Sequence, residues 1–166
     1  MEKNDFYTFR EYMNKIDTFL TASMEDYLEM IFRLSQKNGY TRMHELASAL
    51  NVQPPAATRM VQKLADMKLI KYEKYGILML EDLGNKMGSF LLMRHNTIES
   101  FLNILGVDEK DILEETEKME HTINNNTLNC ISIFVDFFKN NSSFLDAYNL
   151  FKSKDMLYSA TPASKD

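Results

Sequence analysis

Apolar residues recur every three to four positions along almost the whole chain, the signature of amphipathic helices packed on a shared core. Phe6, Phe9, Met13, Ile16 and Leu20 mark a first helix. Ser23 is placed to cap a second, running through "MEDYLEMIFRLSQK" to a stop at Asn38-Gly39, with Leu28, Ile31, Phe32 and Leu34 facing the core. Residues 42–50 read as a short helix with Thr41 near its start, and "NVQ" as a tight turn. "PPAATRMVQKLADMK" follows as another helix, entered through Pro54 and Pro55, whose missing N–H groups cost nothing in a first turn. The period then shortens: "LIKYE" and "ILML" are β-rich runs around Lys74-Tyr75-Gly76 and predict a hairpin. Helix resumes from Asp82 to Leu105 and stops at Gly106. Asp108 can cap an acidic helix, "NTLNCISIFVDFFKN" predicts an apolar one, and Phe144 to Phe151 a short last one.

The expected fold is therefore mainly α: a helix-turn-helix with a β-hairpin wing, followed by an all-α domain. The expected divisions are 1–20, a helical extension; 21–91, the winged helix-turn-helix; 92–152, a helical dimerisation and metal-binding domain; and 153–166, a disordered tail.

Charge adds a second layer. The net charge over 166 residues is −5, but it is unevenly spread. From Thr41 to Tyr75, Arg42, Arg59, Lys63, Lys68, Lys71 and Lys74 outnumber Glu45, Asp66 and Glu73 by three. From Asp108 to Glu120, seven acids stand against Lys110 and Lys118, a deficit of five. Such polarity suggests two separate jobs. The basic stretch coincides with the winged motif, whose second helix would enter a major groove. Gln53, Pro55, Ala56, Thr58 and Arg59 lie at its N-terminal end. Gln hydrogen-bonds bases, Ala and Thr methyls touch thymine methyls, and Arg takes guanine or phosphate. Lys63, Lys71 and Lys74 are placed for phosphates. The bland alternative is a helical bundle with a solvated basic face. One recognition helix reads few base pairs, so a DNA reader of this kind is expected to act as a homodimer on double-stranded operator DNA, and the apolar helix from Thr127 to Phe138 is the candidate dimer surface.

In the acidic stretch, "EKMEH" sets Glu117, Glu120 and His121 on one helical face, and "MEDYLE" repeats the spacing with Asp26 and Glu29. Solvated helix faces often produce such sets, and His95 in "LLMRH" is either a partnered core residue or a ligand. His44 reads as a surface residue. Cys130 stands alone, which excludes an internal disulfide and a Cys-rich metal site; lying within "CISIFVDFF", it reads as buried. No apolar run is long enough to span a membrane, and the N-terminus lacks the pattern of a signal peptide, so a cytoplasmic protein is expected.

Taken together, "SMEDYLEMIF", "GYTRMHELASAL", "ATRMVQKL", "IKYEKYG", "LLMRH", "FLNILGVDE" and "EKMEHTI" resemble the diphtheria-toxin-repressor family, in its manganese-responsive branch, in register from Thr21 to Asn140. The resemblance implies metal ligands at Asp26, Glu29, His95, Glu117, Glu120 and His121, a pair of Mn²⁺ ions per chain held between the domains, and repression of manganese uptake genes. Four carboxylates and two neutral imidazoles balance two divalent ions. Iron-type members carry Met at the position of Asp26 and Cys at that of Glu117; oxygen donors with imidazole suit Mn²⁺, although Fe²⁺, Zn²⁺ or Cd²⁺ can compete in vitro. The chain departs from the family in residues 1–20, in Thr122 where a second His often stands, in the Pro- and Ala-rich entry to the recognition helix, and in ending before the C-terminal barrel of iron-type relatives. No catalytic residue and no organic substrate are expected. The rival readings are an iron-responsive or small-molecule-gated winged-helix repressor and a dinuclear metallohydrolase.

Overall fold

The computed structural model describes residues 20–159, so the helix expected over 1–20 lies outside the described residues. The chain divides into two compact units, with the boundary between Met93 and Arg94.

The first unit opens with α1, Ala22–Ser35. Met24, Tyr27, Leu28 and Ile31 fall at helical spacing and are buried together. The cap is Thr21 rather than the expected Ser23: its hydroxyl oxygen accepts from the Met24 N–H, and Ser23 lies one residue inside the helix. A two-residue strand β1, Thr41–Arg42, precedes α2, Met43–Ala49, and is not expected from the sequence. Two residues are too short to show a period. Thr41 is therefore a strand residue, and its hydroxyl donates to Glu45 Oε2 (2.9 Å) while the Arg42 N–H donates to the same oxygen (2.8 Å). These two bonds hold the Glu45 carboxyl below its ordinary range and close the first turn of α2.

After a turn in which Asn51 takes a left-handed φ of 51°, α3 spans Pro54–Asp66, with the prolines at its first positions. Ala57, Val61 and Leu64 form its buried stripe. Strands β2, Ile70–Tyr72, and β3, Ile77–Leu80, make the expected hairpin around a short 3-10 turn, Lys74–Gly76. The antiparallel sheet has the order β1-β3-β2, with Thr41 opposite Leu78 and Lys71 opposite Met79.

Helix α4, Asp82–Leu105, begins in this unit and carries the boundary residues. Two glycines let its first turns pack closely. A Cβ on Gly84 would collide with the Leu69 carbonyl oxygen, and one on Gly88 would lie 2.6 Å from Phe32 Cβ.

The second unit holds the rest of α4, then α5, Glu109–Glu120, α6, Asn125–Asn140, and α7, Ser142–Ser159. Gly106, at φ +83°, ends α4 in the left-handed conformation expected of a helix stop. Lys152 of α7 donates to the carbonyls of Ile104 and Leu105 in that last turn. Asp108 occupies the cap position of α5 but makes no side-chain capping bond; its carboxylate pairs with Lys110 at 3.0 Å. Ile98, Leu102, Ile112, Leu128, Ile131 and Val135 are buried, and Phe101 meets Phe134 edge-on at 5.4 Å.

Two further expectations differ from the structure. Helix α7 continues to Ser159, well past the predicted end at Phe151 and through residues 153–159 of the predicted tail. Cys130 is exposed rather than buried. The buried stripe of α6 runs Leu128, Ile131, Val135, and at about 100° per residue Cys130 lies roughly 200° round the helix from Leu128. It shares the outer face with Ile133, 63% exposed, and Phe137. The run is apolar on two faces, and the described residues bury only one of them.

Candidate metal centre and DNA interface

The acidic character of α5 is not spread evenly around it. On one side Lys118 pairs with Glu114 (2.7 Å) and Glu115 (3.1 Å), and these contacts lower the Glu114 pKa and raise that of Lys118. Those carboxylates are neutralised on their own helix. Glu117 and Glu120 meet imidazoles instead. Glu120 is 2% exposed, and its Oε2 lies 3.0 Å from His95 Nδ1 on α4. His95 is itself buried, 5% exposed. The other oxygen of Glu120 lies 3.7 Å from His121 Nε2, and Glu117 Oε1 lies 3.9 Å from His95 Nδ1.

Glu117, Glu120 and His121 each present a ligand atom, and the three atoms lie within 4.8 Å of one another. Hard cations bind oxygen at about 2.0–2.6 Å, which sets the ligands of one ion at most about 4–5 Å apart. The spacing fits a divalent cation. Removing Glu120 from water without a cationic partner is unfavourable by several kcal/mol in order of magnitude, so its burial among nitrogen and oxygen donors itself points to a positive ligand. The donor set is free of sulfur.

Asp26 and Glu29 stand one turn apart on α1 in the first unit. Glu29 is buried and pairs with Arg33, four residues on, and Asp26 is half-buried. The i,i+4 spacing of Glu29 and Arg33 is the sequence signal for that pair. Glu25 is also buried, a feature that no spacing announces.

The residues predicted to read DNA, Gln53, Pro55, Ala56, Thr58, Arg59, Lys63, Lys71 and Lys74, are all exposed on α3 and the hairpin. Gln53 caps α3. Thr58 donates its hydroxyl to the Pro54 carbonyl (2.9 Å), which ties up its polar group within the helix. Lys71 pairs loosely with Glu81, at 3.7 Å. His44 is exposed as expected. Thr122 donates its hydroxyl to the Met119 carbonyl (3.0 Å) and helps close the end of α5. Sequence reasoning misses Tyr75, which is 90% exposed at the hairpin tip.

Among the described residues no helix is long and apolar enough to cross a membrane. Residues 19–78 match the N-terminal DNA-binding domain of iron-dependent repressors, and residues 81–143 match the metal-binding and dimerisation domain of the same repressors. The HTH-type transcriptional regulator MntR of Oceanobacillus iheyensis is 38% identical over 142 residues, which are 85% of this chain and 97% of that protein. The solved structure of the manganese regulator SloR aligns over 69% of this chain with 31% identity and a TM-score of 0.61. That of ScaR with bound Zn²⁺ aligns over 69% with 34% identity and a TM-score of 0.58. This chain spans about half the length of those two structures, 54% in each case. With its DNA-binding segment and its metal-binding and dimerisation segment matched in order over most of its length, the chain belongs to the iron-dependent repressor family of metal-dependent, DNA-binding transcriptional regulators.

Proposed function

We propose that the protein is a Mn²⁺-dependent repressor that binds operator DNA as a homodimer and turns down manganese uptake genes. The observation that carries this reading is the buried Glu120, with an imidazole near each of its oxygens and no sulfur donor in the set. Oxygen and imidazole donors suit Mn²⁺; since Zn²⁺ outranks it in raw affinity, selectivity rests on geometry and metal supply. The names of the relatives, MntR and the manganese regulator SloR, support the same metal.

The proposed ligands are Asp26 and Glu29 on α1, His95 on α4, and Glu117, Glu120 and His121 at the end of α5. Their four carboxylates match two divalent ions. When bound, the cations supply the positive charge that lets these carboxylates share one place. Ligands drawn from two distant stretches of chain would then be held in one arrangement, and the arrangement that fits operator DNA is favoured by its differential affinity for metal.

The DNA face of this proposal is α3 with the hairpin. Its base readers are Gln53, Pro55, Ala56, Thr58 and Arg59, and its phosphate contacts Lys63, Lys71 and Lys74. The outer face of α6, with Ile133 and Phe137, supports self-association: large apolar groups exposed side by side on one helix mark an interface. A homodimer would place two recognition helices on half-sites about 34 Å apart. A regulator of genes works where the DNA is, and the cytoplasm is its proposed place.

A mobility-shift titration tests the reading, using a duplex selected from a randomised pool by the wild-type protein with Mn²⁺. Retardation that needs Mn²⁺ and is lost with chelator is expected. Binding that ignores Mn²⁺ would overturn the metal switch, and hydrolysis without DNA affinity would favour a metallohydrolase.

A further inference from the structure

The hairpin tip carries an aromatic side chain that the fold does not use. Tyr75 is 90% exposed, so its ring packs on almost nothing among the described residues. Its backbone sits at φ 64°, ψ 21°, in the left-handed region. That conformation is unfavourable for a bulky residue, and turns of this kind ordinarily use Gly, Asn or Asp. Neither packing nor turn chemistry therefore accounts for a tyrosine here.

Its surroundings point outward. From Lys68 to Gly76 three lysines, Lys68, Lys71 and Lys74, stand against a single Glu73, a local charge of +2. All four are exposed. Strand β2 of this hairpin follows α3 directly in the same unit, with only Met67, Lys68 and Leu69 between them. The hairpin thus adds to the positive charge of the unit that holds the recognition helix, and that charge complements a polyanion such as the DNA backbone rather than an apolar surface.

We infer that Tyr75 contacts the DNA backbone beside the half-site read by α3, its hydroxyl donating a hydrogen bond to a phosphate and its ring lying over the adjoining sugar. This inference rests on the DNA-binding reading above. Tyrosine has the chemistry for such a contact, since phosphate contacts from Tyr position a protein on the duplex without reading sequence. The ring supplies a rigid apolar surface, with few torsions to immobilise, behind the polar tip.

The test compares wild type, Tyr75→Gly and Tyr75→Phe as full-length protein with Mn²⁺, on the selected duplex and on an unrelated duplex. Glycine relieves the left-handed backbone, so the melting temperature of Tyr75→Gly should hold or rise, which separates lost contact from lost fold. Its affinity should nevertheless fall about tenfold, as for one hydrogen bond to a charged group. The fall should be similar on both duplexes, because a backbone contact carries no sequence preference. Tyr is uncharged, so the slope of log affinity against log salt should stay at the wild-type value, whereas Lys74→Ala should lower it by about one. Tyr75→Phe should also weaken binding. Phenylalanine at wild-type affinity overturns the phosphate bond, and glycine at wild-type affinity overturns the inference while leaving the DNA-binding reading intact. A wild-type protein that selects no duplex overturns both.

Discussion

Replacing Glu120 by Gln keeps the size and shape of the side chain and removes its charge. Glu120 is 2% exposed and its two oxygens face different imidazoles, so a neutral amide disturbs both sides of the donor cluster at once. The metal-free protein should tolerate the change: an amide oxygen can still accept from His95 Nδ1, and one buried negative charge has gone. Its melting temperature without metal should hold or rise.

The response to Mn²⁺ is where the loss appears. A cation present at one hundred times its Kd stabilises the folded state by about 2.7 kcal/mol. For chains of this size range each kcal/mol is worth roughly 2–8 °C, with the larger values for a unit that melts alone, so the wild type should gain about 5–20 °C. Second-sphere partners of metal ligands alone change affinity by about 10–100-fold. A ligand should reach at least the upper figure. At a hundredfold loss the same Mn²⁺ concentration only equals the new Kd, which leaves about 0.4 kcal/mol and a shift of some 1–3 °C. Differential scanning fluorimetry with and without Mn²⁺ reads this directly. Glu114→Gln is the control, since Glu114 pairs with Lys118 on another side of α5 and should keep the full shift. A wild-type shift in Glu120→Gln would refute the assignment of Glu120 as a ligand.

Further outcomes are equally checkable. Ile133→Glu should convert a dimer to a monomer by analytical ultracentrifugation with an unchanged circular dichroism spectrum; an intact dimer would remove the outer face of α6 from the interface. Gly84→Ala drives a methyl into the Leu69 carbonyl oxygen, and the clash of about 1–3 kcal/mol should outweigh the roughly 1 kcal/mol that alanine gains in a helix, so the denaturation midpoint should fall rather than rise. Glu45 has a folded pKa below its ordinary 4.5, so the stability it contributes is complete above that value and is lost as pH falls through the lower folded one. The wild type should therefore melt above Glu45→Gln at pH 7 and converge with it in strong acid, and a gap unchanged by pH would contradict this. Saturating operator DNA should tighten Mn²⁺ binding by the factor by which Mn²⁺ tightens DNA binding, and calorimetry that finds no change would exclude the coupling.

Much of the fold is legible in the sequence because it depends on local signals. The span of α4 is marked from Asp82 to Gly106, where a continuous apolar period runs into a glycine stop. The hairpin follows from β-rich runs either side of Lys74-Tyr75-Gly76. Signals that depend on one hydroxyl or two residues fail. Thr21 and Ser23 are chemically alike as caps, and only the hydrogen bond to Met24 decides between them. Strand β1 exists because β3 lies beside it, not because Thr41-Arg42 demand it. At the candidate centre, the spacing of Glu117, Glu120 and His121 establishes a shared face but not burial. Seven carboxylates in the acidic stretch look alike in sequence. Their partners sort them: Lys118 takes Glu114 and Glu115, Lys110 takes Asp108, and His95 takes Glu120.

The misreading of Cys130 has the same root and a functional consequence. Apolar periodicity reports that a residue shuns water, and it is blind to which partner removes the water. In α6 the run is apolar at 128, 131 and 135 and again at 130, 133 and 137, two sets that each repeat with helical spacing. Intrachain packing uses the first set; the second remains exposed around Ile133 and Phe137. A helix serving only a core would carry polar residues on its outer face, as α5 does at Glu114 and Glu115. The second apolar set is the surface that the proposed homodimer would bury. The same residue pattern that made Cys130 look buried is then the strongest argument in the sequence that one chain is not the working unit.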